Sequence, residues 1–165
     1  MSDLNPIIAF YENKSEKGLP NLNDILNGSF EYLENSHNWC QRAFPNFEES
    51  RVVPNAPVLT DVVLEYLKKY QTENTMKLVF RYFIHYTDLQ SESYAHNNRR
   101  VTRMIKYLKL LELEQPAEAV YIMFSSSYGL AVFDGGASSN GSHNTLKIWE
   151  EALKYNKGDT WIVAN

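Results

Sequence analysis

Cysteine is almost missing from this 165-residue chain: Cys40 stands alone. No disulfide can form within the chain, and a reducing, cytoplasmic setting is expected. Long apolar runs are missing too. The longest, Ala119 to Phe124, is far shorter than the roughly 20 residues a membrane-spanning helix needs. The opening stretch, MSDLNPIIAF, lacks the basic start and long apolar segment of a secretory signal. Charge of one sign is scarce: the net charge is −4, too small for the overall field to draw the chain to nucleic acid or an anionic membrane. Gly-x-Ser-x-Gly, the glycine-rich phosphate loop and the zinc-protease histidine pair are all absent. Catalysis therefore has little support, and neither a cofactor nor a metal is expected.

What is present is enough for a core. Hydrophobic residues make up 44% and aromatics 13%, which excludes a disordered chain. The length suits one domain over residues 1–165.

Most of the chain has helical periodicity. Ile7, Ile8, Phe10 and Tyr11 predict a short helix, broken at Gly18-Leu-Pro20. Asn23-Asp24 can cap a turn that stops at Asn27-Gly28. Ser29 predicts the cap of a helix over about 30–44, ended by Pro45. Thr60 predicts the cap of the next, with Val62, Val63, Tyr66, Leu67 and Tyr70 on its inner face. A further helix over about 73–86 is expected to bury Met76, Val79, Phe80, Phe83 and Ile84.

After a polar connector from Leu89 to Asn98, the helix from Arg99 to Glu114 has the inner face Val101, Met104, Ile105, Leu108 and Leu111. Pro116 suits the first turn of another. Residues 125–145 are rich in serine and glycine and predict a long loop. A terminal helix is expected over 146–156. The runs Leu130–Phe133 and Trp161–Val163 suggest a short β pairing near the C-terminus. Together these predict an all-α fold, an irregular bundle of about six or seven helices.

Several polar clusters stand out. Glu34, His37 and Gln41 lie at helical-turn spacing, and Glu34-x-x-His37 matches a carboxylate-bridged metal half-site. No other histidine has an acid three residues before it, so no metal is assigned, and hydrogen bonding between helices is the plainer role. His96, Asn97, Arg100 and Arg103 gather around the start of the helix predicted from Arg99. There, two guanidinium groups suit a carboxylate or phosphate, or they clasp acids within the fold. The candidate ligand-binding set is therefore His37, Gln41, His96, Asn97, Arg100 and Arg103. Arg99, Arg103, Lys106 and Lys109 make a basic stripe, read either as a nucleic-acid contact or as a solvated face. Cys40 is expected to be a buried, inert thiol.

A longer series of motifs runs through these same positions. It comprises Ala9-Phe10-Tyr11, Asp24-Ile25-Leu26, Leu33-Glu34, His37, Trp39, Gln41, Phe44-Pro45, Asn55-Ala56-Pro57, Leu59-Thr60, the stretch from His96 to Leu108, and Leu110-Leu111 with Leu113. In order and spacing, residues 7–124 resemble the conserved domain of the opioid growth factor receptor family. The resemblance implies an all-helical domain standing alone, of a short microbial type, without the repeats of the animal proteins. It also implies a receptor-like role, since the namesake animal proteins are described as enkephalin receptors. The departures are Trp39, Cys40, Arg42, Arg99 and Val101. The family has tyrosine, isoleucine, an aromatic, an apolar residue and isoleucine at those positions, so Arg42 and Arg99 add charge expected at the surface.

The leading expectation is a non-enzymatic binding module for a protein or peptide, with a small anion as a further ligand class. The alternatives are a small enzyme or anion-dependent factor working through the His/Arg cluster, and a nucleic-acid binder through the stripe.

Overall fold

A computed structural model describes residues 4–51, 53–90, 93–133 and 139–158. Among the described residues there are nine α-helices and no strand. The all-α expectation holds, with more and shorter helices than the periodicity suggested. The chain divides into two compact units, Met1–Tyr82 and Phe83–Asn165.

The first unit begins with α1 (Pro6–Tyr11), α2 (Leu22–Leu26), α3 (Phe30–Asn35) and α4 (Cys40–Ala43). Capping explains where they start. The Asn5 side chain accepts from the Ile7 amide at 2.8 Å, and Pro6, which has no amide to satisfy, fills the first helical position. Asn21, rather than Asn23, precedes α2, and its amide donates to the Asp24 carboxylate at 2.8 Å. Ser29 caps α3 as predicted, accepting from the Tyr32 amide at 3.1 Å.

The predicted helix over 30–44 is in fact two. α3 stops at Asn35 because Ser36, at its C-cap, turns to extended backbone. The run Asn35-Ser36-His37-Asn38 is made of side chains that compete with helical hydrogen bonds. The Trp39 indole then donates to the Leu33 carbonyl at 3.2 Å, satisfying an acceptor that the helix end leaves open.

α5 (Asp61–Tyr70) is capped by Thr60, which accepts from the Val63 amide at 3.4 Å. It buries Val63, Leu64 and Leu67, whereas Val62 and Tyr70 are exposed. α6 (Thr72–Thr87) follows, and the unit boundary falls within it, after Tyr82. Its inner face is Leu78, Val79, Tyr82, His85 and Tyr86; Phe80 and Ile84, expected inside, are exposed. The core of the first unit is aromatic, with Trp39, Phe44 and Tyr82 in mutual ring contact at 5.8–6.5 Å between centroids. Ring pairs of this kind add to the stabilisation from burial. Tyr11 fastens α1 to α4 by donating to the Ala43 carbonyl at 2.5 Å.

In the second unit, α7 (Tyr94–Leu110) packs against both α8 (Glu114–Phe133) and α9 (Ser139–Ala152). α7 starts five residues before the predicted Arg99, so His96 to Asn98 are helical and not part of a connector. Its predicted inner face, Val101, Met104, Ile105, Leu108 and Leu111, is buried throughout.

The predicted loop over 125–145 is largely helical where described. Ala117, Val120, Phe124 and Tyr128 are all buried and recur every three or four residues. That rhythm carries α8 through Ser125 to Ser127 and Gly129 despite their low helical preference, because packing overrides propensity. Leu130 to Phe133 continue α8 and do not form a strand; Trp161 to Val163 lie outside the described residues. The terminal helix begins at Ser139 rather than 146. Tyr86, Phe124, Tyr128 and Trp149 form a chain of edge-on ring contacts at 5.0–6.3 Å.

Tyr66 links titration to stability in the first unit. Its hydroxyl donates to Glu12 at 2.7 Å and accepts from Gln71 Nε2 at 2.8 Å. Burial, with the bond to Glu12, pushes its pKa from 10.0 up to about 12. The folded protein thus holds this proton to higher pH than the unfolded chain, so the contribution is complete below pH 10 and is lost as the pH rises to about 12. Melting temperatures measured across that interval should fall more steeply for the wild type than for Tyr66→Phe. Parallel curves would show that this hydroxyl does not govern the alkaline limb.

Candidate functional site

The candidate residues divide between the two units. His37 and Gln41 belong to the first; His96, Asn97, Arg100 and Arg103 belong to the second.

The break after α3 changes the Glu34, His37 and Gln41 geometry. Glu34 is on α3, His37 is exposed in the connection, and Gln41 is buried on α4. Helical-turn spacing in the sequence therefore does not place the three on one helix face. Among the described residues no group of three His, Cys, Asp or Glu side chains is arranged to hold a metal ion. The Gln41 side-chain oxygen is shielded from solvent and has no hydrogen-bond partner among the described residues. Cys40 is buried, as expected.

In the second unit the structure brings Asn97, Arg100 and Arg103 onto α7, but inside the protein. Arg100 is only 7% exposed and Arg103 only 4%. The bonds explain their placement. Asn97 Nδ2 donates to the Ser93 carbonyl at 3.0 Å, stitching the first turn of α7, and lies 3.3 Å from His96 Nε2. Arg100 Nη1 donates to Asn97 Oδ1 at 3.2 Å. Each polar atom so engaged avoids the penalty of burial without a partner.

Asn98, which sequence reasoning passed over, joins three helices. Its Oδ1 accepts from the Tyr86 hydroxyl at 2.5 Å. Its backbone carbonyl accepts from Thr102 Oγ1 at 3.0 Å and from the Trp149 indole at 3.1 Å. One residue thus fixes α6, α7 and α9 together within the second unit. The signal was hidden because an Asn beside Arg-rich positions reads as surface, and only the distant Tyr86 and Trp149 reveal its burial.

The basic stripe is not one face. Arg99 is exposed, whereas Arg103 and Lys106 are buried. Lys106 Nζ sits 4.6 Å from the centre of the Tyr155 ring, a favourable placement for a desolvated ammonium. Lys109 is ion-paired with Glu114. Phosphate contacts need cations in water, and of these four residues only Arg99 is exposed. The stripe is therefore neither a continuous phosphate track nor the solvated face expected as its alternative.

Arg100 behaves as an internal fastener, and Arg103 is buried on the same helix. Truncating Arg100 leaves Asn97 Oδ1 without its donor, a cost of roughly 1–3 kcal/mol, and removing two buried side chains also leaves voids. Arg100→Ala combined with Arg103→Ala should abolish cooperative thermal unfolding, read by circular dichroism. A double variant that melts like the wild type would mean that these arginines are not clasps. In comparisons with known proteins, no family model, no curated protein and no solved structure matches this chain.

Proposed function

We propose that the chain is a non-enzymatic, cytoplasmic interaction module, similar to the conserved domain of the opioid growth factor receptor family, and that it takes an amphipathic helix of a protein partner on the outer face of α8. The face itself carries the reading. Ile122 is 62% exposed and Leu130 66%. Ala119, Ser126 and Gly129 lie between and beside them on the same exposed side. A Cβ placed at Gly129 would meet no atom within 4 Å. Two large apolar side chains alternating with small residues along one helix make ridges and hollows, the relief into which a second helix packs.

Helical peptides selected by phage display against the wild type should bind Ile122→Asp/Leu130→Asp at least about tenfold more weakly, as expected when central apolar anchors are lost. An enkephalin peptide in the same titrations tests the receptor role that the resemblance implies. Both substitutions are at exposed positions, so the melting temperature should barely move. Equal binding by wild type and variant, or no selectable peptide, would overturn the α8 assignment.

A further inference from the structure

Arg42 departs from expectation. Placed by its sequence at the surface, it is only 8% exposed, on α4 between the fully buried Trp39 and Phe44. Its Nη1 donates to the Asn38 carbonyl at 2.7 Å. Its Nε is shielded from solvent and has no hydrogen-bond partner among the described residues. No described carboxylate pairs with the guanidinium: burial alone acts on it, pulling its pKa below the ordinary value. A guanidinium removed from water without an anion is destabilising. Nη2, which Asn38 does not use, is not closed off in this way and has no hydrogen-bond partner among the described residues, so it offers N–H groups that a carboxylate accepts.

Arg42 also lines a cavity of about 240 Å³. The apolar part of its lining is Leu4, Pro6, Ala9 and Leu19. Two further charges are present. Lys14 is ion-paired with Glu12 at 3.3 Å, and Glu16 is exposed. Glu16 would repel a dianion more than a monoanion. The volume is below the roughly 300–1,000 Å³ of drug-sized sites, so the occupant is small. One buried guanidinium, an apolar wall and an acidic neighbour specify one acidic group on a short hydrocarbon.

We infer that this cavity binds a small aliphatic monocarboxylate, its carboxylate on Arg42 and its hydrocarbon against Leu4, Pro6, Ala9 and Leu19. The site is separate from the α8 face and stands or falls without it.

Titration of the full chain with hexanoate, butanoate, hexylamine and inorganic phosphate tests the inference. Hexanoate should raise the melting temperature, as any ligand of the folded state does, with butanoate weaker and hexylamine without effect. Arg42→Met, which keeps the bulk and removes the buried charge, should melt no lower than the wild type without ligand and should weaken hexanoate at least about tenfold, the loss of one charge-assisted contact. In the wild type, backbone amide shifts on adding hexanoate should concentrate at Ala9, Ser15, Leu19 and Arg42, a readout that needs no variant. No response to hexanoate, a response kept in Arg42→Met, a phosphate response as large as the hexanoate response, or shifts elsewhere would each overturn the proposal. So would hexanoate binding that appears only after Asp3→Asn, since the anion for Arg42 would then be the chain's own.

Discussion

α7 is packed by two helices at once, and the organisation of the second unit follows from that. A helix with one covered face can leave its polar residues in water. A helix flanked by α8 and α9 cannot, so Asn97, Asn98, Arg100, Thr102, Arg103 and Lys106 are all drawn inside. Burial on this scale is tolerable only if the polar atoms find partners within the protein. The Asn98 carbonyl shows how: it takes both the Thr102 hydroxyl and the Trp149 indole, so the same oxygen that stitches α7 also fixes the ring at the centre of the aromatic chain. Lys106 reaches an accommodation of another type, over the face of Tyr155. These bonds are directional, whereas apolar contacts are not. They select one rotation of α7 among the several that would bury Val101, Met104 and Leu108 equally well.

The first unit meets a similar demand with less completeness. Tyr11 and Trp39 each bring an apolar body into the core and deliver a polar tip to a waiting acceptor, and the half-buried Tyr66 does the same at its edge, which is why aromatic residues can be used so freely there. Arg42 differs. Its stem packs like any apolar side chain, but only one of its bonds, to Asn38, is made within the described residues. A charge of that kind is poorly explained by stability, because replacing buried ions with apolar residues is often neutral or favourable. Its presence fits better with something it holds than with something it braces.

Legibility in the sequence followed the physics of each element. Caps were readable because they rest on local hydrogen bonds: Ser29 and Thr60 do what their chemistry predicts. The inner face of α7 was readable because five apolar residues repeat at helical spacing. The α3–α4 break was not, since no proline or glycine marks it and Pro45 supplied a plainer stop, although the polar run Asn35 to Asn38 interrupts the apolar spacing between Leu33 and Trp39. α8 was missed for the opposite reason. Serine and glycine suggest a loop when weighed one by one, yet Val120, Phe124 and Tyr128 keep a helical rhythm through them, and tertiary burial decides such conflicts. Phe80 and Ile84 fit the helical pattern of α6 and are nonetheless exposed, because a helix with apolar residues all round must leave some of them out.

The candidate site was the least legible part, for one physical reason. Residue type shows what a side chain is able to do, whereas solvent exposure decides whether a ligand can reach it. His, Asn and Arg at helical spacing make a credible anion site if the face is open, and a clasp if it is closed. α7 is closed around Asn97, Arg100 and Arg103. Arg42 reverses the pattern: in the sequence it is a single charge three residues after a tryptophan, notable only as a departure from the family resemblance. Its interest arises only from the coincidence of burial, an unused Nη2 group and an adjoining cavity. Each of these depends on residues distant in the chain, from Leu4 to Leu19 on one side and Asn38 on the other. No local pattern encodes that juxtaposition, whereas the clustered arginines of α7, conspicuous in sequence, are accounted for by the packing that surrounds them.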